Sequence, residues 1–147
     1  MRKKFVAPVL VGAALSLATI AAAAPASASA SGSASRLLAC KEFSTNTGGG
    51  INMEIRLKVC GTGNYVDYVE GYVINRSGSY AHAGHVRLRF SNGEEAHGST
   101  VNVPPGRSGG HVSMDPNKNY SSGTRVCSAW IKTTGTVTPG YACATIG

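Results

Sequence analysis

Ile51-Asn52-Met53-Glu54-Ile55-Arg56-Leu57-Lys58-Val59 alternates apolar and polar residues without a break. In an extended chain successive side chains leave on opposite sides, so this pattern makes one oily face and one wet face. Wound as a helix, the same stretch would scatter Met53, Ile55, Leu57 and Val59 around its circumference and bury none of them together. The stretch is therefore expected as a strand with one face on a core and one in water.

Working outward, Leu37 to Phe43 is expected as its partner across the turn Thr47-Gly48-Gly49-Gly50. Tyr65 to Asn75 is aromatic and β-branched, a strand composition, and Arg76-Ser77-Gly78-Ser79 breaks it. His85 to Phe90 alternates again, with Val86, Leu88 and Phe90 inward. The following Asn92-Gly93 invites a two-residue hairpin, but that register sets Val86, Leu88 and Phe90 against Ser99, His97 and Glu95. A longer loop through Glu94-Glu95-Ala96 places Val86 beside Val101, and this register is expected, because a one-residue slip would turn every side chain to the wrong face.

Val101 and Val103 mark a further strand ended by Pro104-Pro105-Gly106, and Val112 and Met114 another before Asp115-Pro116. Thr124 to Thr133 and Tyr141 to Ile146 should close the chain as a hairpin around Gly135 to Gly140. No segment carries a sustained helical period. Short strands punctuated by turn signals describe an all-β protein, a small antiparallel β-sandwich.

The first thirty residues bear on destination. Arg2, Lys3 and Lys4 precede an uncharged apolar run from Phe5 to Ala24, and Ala26-Ser27-Ala28-Ser29-Ala30 supplies small residues in the pattern cut by signal peptidase. Residues 1–30 are expected to be a bacterial-type export signal, 31–36 a flexible linker of small residues, and 37–147 one domain. Loss of the signal lowers the formal charge from +7 to +4. With no basic run longer than a pair in the remainder, nucleic acid is not the expected partner, and after cleavage nothing is left to hold a membrane. The expected location is extracellular.

All four cysteines, Cys40, Cys60, Cys127 and Cys143, lie in the exported part. An even number in a short secreted chain implies two disulfides. No Cys-x-x-Cys spacing is present, so neither a metal centre nor another cofactor is expected. Cys40 and Cys60 are equidistant from Gly50, and Cys127 and Cys143 from Gly135. Each pair can thus close its own hairpin, which predicts Cys40–Cys60 and Cys127–Cys143; bridges between two sheets are the competing arrangement.

Gly71-Tyr72-Val73-Ile74-Asn75-Arg76-Ser77-Gly78, then Val86 to Phe90, then Val101-Asn102-Val103-Pro104-Pro105-Gly106-Arg107-Ser108 resembles immunoglobulin-like adhesion modules. Such modules show a strand ending in Asn near a Gly, an alternating strand, and a strand ending in Pro-Gly-x-Ser. The resemblance implies an immunoglobulin-like sandwich and transfers no functional residue. In size and layout the chain also resembles small exported adaptor subunits of bacterial polymorphic toxin particles, which implies a protein partner.

Chemistry-bearing residues are sparse. His82 and His85 sit three apart, which on a strand puts them on opposite faces unless Gly84 allows a bulge; His97 and His111 lie in separate segments. Ser108, in Arg107-Ser108-Gly109-Gly110-His111, could be drawn as a nucleophile loop beside a histidine, or be a Gly-rich turn between strands. His85, Arg87 and Arg89 share one strand face that could bind phosphate or simply be the wet side. Trp130 is opposite in parity to Cys127, Ala129 and Ile131, so with those inward it points outward and joins a binding surface. Arg36-Leu37-Leu38 forms an apolar segment ahead of Cys40 that could add to a partner's sheet edge or begin this domain's own first strand.

The expected function is a non-catalytic secreted binding module, an adaptor or subunit of an exported complex, whose partner is another secreted or cell-surface protein. Its candidate contacts are Arg36, Leu37, Leu38, His85, Arg87, Arg89 and Trp130. A small hydrolase or ribonuclease is the alternative, as is a protease inhibitor presenting Val103 to Arg107.

Overall fold

The computed structural model describes residues 38–48 and 51–147. The expected signal, the linker, Arg36 and Leu37 lie outside the described residues. Ten strands run through the rest: β1 (Ala39–Asn46), β2 (Met53–Thr62), β3 (Tyr65–Asn75), β4 (His82–Phe90), β5 (Glu95–His97), β6 (Val101–Val103), β7 (Ser108–Met114), β8 (Lys118–Asn119), β9 (Arg125–Lys132) and β10 (Ala142–Thr145). No helix occurs among the described residues. One antiparallel sheet has the order β1-β2-β3-β7, with β8 also on β3; the other has β10-β9-β4-β5, with β6 also on β4.

Period-two burial holds as expected. Met53, Ile55 and Leu57 from β2 and Val69 and Val73 from β3 meet Val86, Leu88 and Phe90 from β4, all fully buried in one core. Val66 joins them although it is three residues from Val69, because the β2–β3 register shifts after Cys60 and leaves Asp67 out of the ladder. Such a bulge returns both valines to the same side. Asn75 is the buried polar residue that ends β3. Its amide donates to the carbonyls of Tyr80 at 2.7 Å and Val103 at 2.9 Å, and its oxygen accepts from Ser77 N at 2.9 Å, so burial leaves it satisfied.

Two expectations need correction. The β4–β5 loop is neither of the two weighed. Leu88 pairs with Ala96 and Arg87 with His97, around a three-residue loop Ser91-Asn92-Gly93 whose glycine has φ 97°. Gly98 N bonds Val86 O, and the register then shifts so that Val101 opposes Gly84 rather than Val86. Gly-assisted three-residue loops keep apolar residues in step without a two-residue turn.

Trp130 does not point outward; it is fully buried, with a relative exposure of 0%. Trp130 is opposite in parity to Cys127, Ala129 and Ile131 as expected, but the faces are reversed: Trp130 points inward with Val126, and the other three point outward. Ala129 and Ile131 on its outer side are also buried, Ile131 bridging to Val137. The inner side has room for an indole because two glycines face it. A Cβ on Gly84 would stand 2.7 Å from the ring and one on Gly110 would stand 3.0 Å away. Gly84 therefore makes no bulge for the histidines; β4 stays in register with β9 from Gly84 to Phe90.

Both disulfides form within hairpins: Cys40–Cys60 across β1 and β2, Cys127–Cys143 across β9 and β10. The sandwich is thus joined through its core and not by sulfur.

Candidate functional site

The outer faces of the two sheets carry most of the charge, and they differ. On the first sheet the arginines pair with carboxylates, while among the described residues Lys41 and Lys58 make no ion pair. Arg56 meets Glu54 at 2.6 Å and Glu42 at 3.4 Å, and Arg76 meets Glu54 at 2.6 Å. Arg76 and then Arg56 hold the Glu54 carboxyl below its ordinary range against the opposing effect of burial, and Glu54 in turn raises Arg56. The Tyr72 hydroxyl donates to Glu42 at 3.2 Å, and its ring stacks on His111 at 5.0 Å, while His111 Nδ1 bonds Glu70 at 2.9 Å. His111 is thus engaged with Glu70 and Tyr72, and among the described residues no hydrogen bond joins it to Ser108.

The outer face of the second sheet is built from alternate residues of β4 and β9. Register sets Arg89 beside Cys127, Arg87 beside Ala129 and His85 beside Ile131. A shallow groove of about 440 Å³ opens there, with Arg87, Arg89 and Arg125 around it, Ala129 and the Cys127–Cys143 bridge in its lining, and Tyr141 at its rim. Tyr141 is 50% exposed. Among the described residues Arg87 and Arg125 have no carboxylate partner, and Arg89 has only Glu95 at 4.0 Å. Arg87 Nε is buried and makes no hydrogen bond. Three guanidinium groups over an apolar and aromatic floor suit a carboxylate-bearing ligand, since guanidinium is less strongly hydrated than ammonium and binds carboxylate by two parallel hydrogen bonds.

On the other flank of β4, β5 brings His97 against His85. Their facing nitrogens, His85 Nε2 and His97 Nδ1, are 3.2 Å apart, and His97 Nε2 lies 3.5 Å from Glu95. Burial, then the neighbouring His97 and Arg87, lowers the His85 pKa. Separate segments in sequence become neighbours because the β4–β5 hairpin puts Arg87 directly opposite His97.

The sequence-derived candidates thus divide. His85, Arg87 and Arg89 share one face; Trp130 is withdrawn into the core. Leu38 is exposed just before β1, and β1 pairs with β2 along its whole length, from Ala39 opposite Gly61 to Asn46 opposite Glu54. Arg125 and Tyr141 were missed as site residues; only the β9–β10 hairpin and its disulfide bring them to the groove. The Val103 to Arg107 segment is a tight turn, with Gly106 N bonded to Asn75 O and Asn75 N to Arg107 O. Among the described residues no group of three potential metal ligands is assembled, and no helix is long and apolar enough to cross a membrane.

Comparison with protein-family models, curated proteins and solved structures finds no match to this chain.

Proposed function

We propose that this chain is an exported, non-catalytic binding module that docks an acidic patch of a partner protein on the outer face of the second sheet, as an adaptor or subunit of an exported complex. One observation carries the reading. The arginines of the first sheet are paired with Glu42 and Glu54, whereas among the described residues Arg87 and Arg125 of the second line a groove and have no acidic partner. Arginine and tyrosine are also the residues that anchor protein interfaces.

Export is supported by the leader sequence and by the two disulfides, which persist in oxidising compartments. An immunoglobulin-like arrangement is supported by the strand order: β3 pairs with β2 and β7, the chain then changes sheet, and β4 pairs with β9, which pairs with β10.

The hydrolase reading fits less well. In-line displacement at phosphorus needs a base and an acid on opposite sides of the reacting group, whereas the His85 and His97 nitrogens touch each other. The inhibitor reading needs an extended loop free to pair with a protease, and the Val103 to Arg107 backbone is tied to Asn75.

The test is affinity capture from culture medium with the wild-type protein, an Arg87→Glu/Arg125→Glu variant and a Lys58→Glu variant of the opposite sheet. The reading expects capture that weakens with added salt, is lost in the double variant and survives Lys58→Glu, with all three proteins equally stable to heat. Capture indifferent to both salt and the double variant would refute it.

A further inference from the structure

The geometry points to a second, independent site: His85 and His97 form an open two-imidazole clamp for a divalent late transition-metal ion, with Cu²⁺ as its tightest-binding probe. The pair lies on the outer face at the β5 flank of β4, with Arg87 adjoining both it and the arginine groove, and does not depend on the acidic-partner reading.

Three features carry it. The first is spacing. Two imidazole nitrogens held about 2.0–2.1 Å from one ion stand roughly 2.9–3.4 Å apart at ordinary coordination angles. His85 Nε2 and His97 Nδ1 stand 3.2 Å apart, and their rings are inclined at 45°. Both side chains are partly open to solvent, and each ring must turn by roughly 40° for nitrogens that now face one another to aim at a common ion.

The second is tautomer. A carboxylate only accepts, so Glu95, 3.5 Å from His97 Nε2, places the proton of His97 on Nε2 and leaves a bare lone pair on Nδ1 facing His85. A carboxylate behind a ligating histidine is the usual second partner in metal sites, where it orients the ring and raises its basicity.

The third is protonation. Without metal, His85 Nε2 donates its proton to His97 Nδ1. An arriving ion takes the place of that proton, and the ring stays neutral by passing to its other tautomer, with the proton on His85 Nδ1. A ligating imidazole nitrogen carries no proton, so binding competes with the His85–His97 hydrogen bond. Arg87 lies opposite His97 and works against a cation, but it also lines the groove on the β9 side, and Glu95 adds a negative charge on the β5 side. Two protein ligands leave the remaining coordination positions to water. Copper leads the divalent series for such nitrogen sites.

The experiment titrates Cu²⁺ into the disulfide-bonded, untagged protein at pH 7.5, followed by calorimetry and by paramagnetic broadening of the histidine ring signals. The expected result is one equivalent bound, with the His85 and His97 signals lost first and those of His82 and His111 retained. His85→Gln and His97→Gln should each weaken binding by about tenfold or more, Glu95→Gln by about tenfold, the effect of losing an outer-shell partner, and acidification to pH 5 should release the ion. The near-ultraviolet signal of buried Trp130 checks that each variant is folded, and His97→Asn replaces any that is not. Unchanged affinity in the His85→Gln/His97→Gln variant would overturn the site. So would broadening centred on His111 or the amino terminus, or no broadening of either ring at equimolar copper, which would leave a pair that shares only a proton.

Discussion

The ring of Tyr120 lies flat on that of Phe90, with centroids 4.6 Å apart and planes 3° from parallel. Phe90 ends β4 in the second sheet, while Tyr120 follows β8, which pairs with β3 in the first. The stack therefore clamps the sheets together at one end of the sandwich. The Tyr120 hydroxyl also donates to Glu94 at 2.9 Å, and burial followed by that carboxylate raises the phenol pKa well above its ordinary value. Tyr120→Phe keeps the stack and removes the hydrogen bond, so a loss of about 1–2 kcal/mol is expected. Tyr120→Ala removes both and should cost about 3–5 kcal/mol. Urea unfolding of the two variants separates the contributions; equal losses would mean that the stack contributes nothing.

Acid should destabilise the fold through two named carboxylates. Lys118, with Tyr120 and Asn92, holds Glu94 below its ordinary value of 4.5, and Arg76 with Arg56 does the same for Glu54. A carboxyl depressed in the folded state contributes stability that is fully present above its unfolded pKa and disappears as pH falls through the folded one. Thermal midpoints should therefore be level above pH 5 and fall below about 4.5. Glu94→Gln, already deprived of that contribution, should be less stable at neutral pH and show a shallower acid limb. An acid limb as steep as wild type's would exclude Glu94 as a source.

Gly84 should tolerate no side chain. A Cβ there would meet Ile131 O at 2.2 Å and the Trp130 ring at 2.7 Å, and the carbonyl belongs to a ladder that cannot move alone. Gly84→Ala is expected to cost about 3 kcal/mol or more through overpacking. Gly78, with nothing within 4 Å of its Cβ position, is the control, and Gly78→Ala should change stability by less than about 0.5 kcal/mol. Equilibrium unfolding monitored by Trp130 fluorescence compares the two.

Each disulfide should be worth about 3 kcal/mol, the loop-closure value for bridges spanning sequence separations of 16 and 20 residues. Because both bridges lie within hairpins and the core packs between the sheets, Cys127→Ser/Cys143→Ser should lower the unfolding midpoint yet keep native near-ultraviolet dichroism. A variant with no tertiary signal at 25 °C would show the bridge to be a condition of folding rather than an increment to it.

Much of the fold was legible in residue order. Unbroken alternation marks β2, and the turn residues on either side bound β3 at Tyr65 and Asn75, as expected. Hairpin symmetry about Gly50 and Gly135 anticipated both disulfides. Strands β5 and β8 were not legible, because three and two residues carry too little period to distinguish from a turn. The candidate site was half legible. His85, Arg87 and Arg89 follow from the parity of one strand, but Arg125, Tyr141 and His97 come from other segments, and only strand pairing brings them near.

Residue order alone determined that this chain makes antiparallel ribbons with one oily face, and favoured the cysteine pairing that forms, because side-chain alternation and hairpin closure are local consequences of backbone geometry. Tertiary structure alone decided where Trp130 goes, which histidines touch, and which arginines are left without partners. Those outcomes depend on what stands across from each residue: two missing methyl groups, at Gly84 and Gly110, open the core to an indole, and a three-residue loop sets His97 against His85.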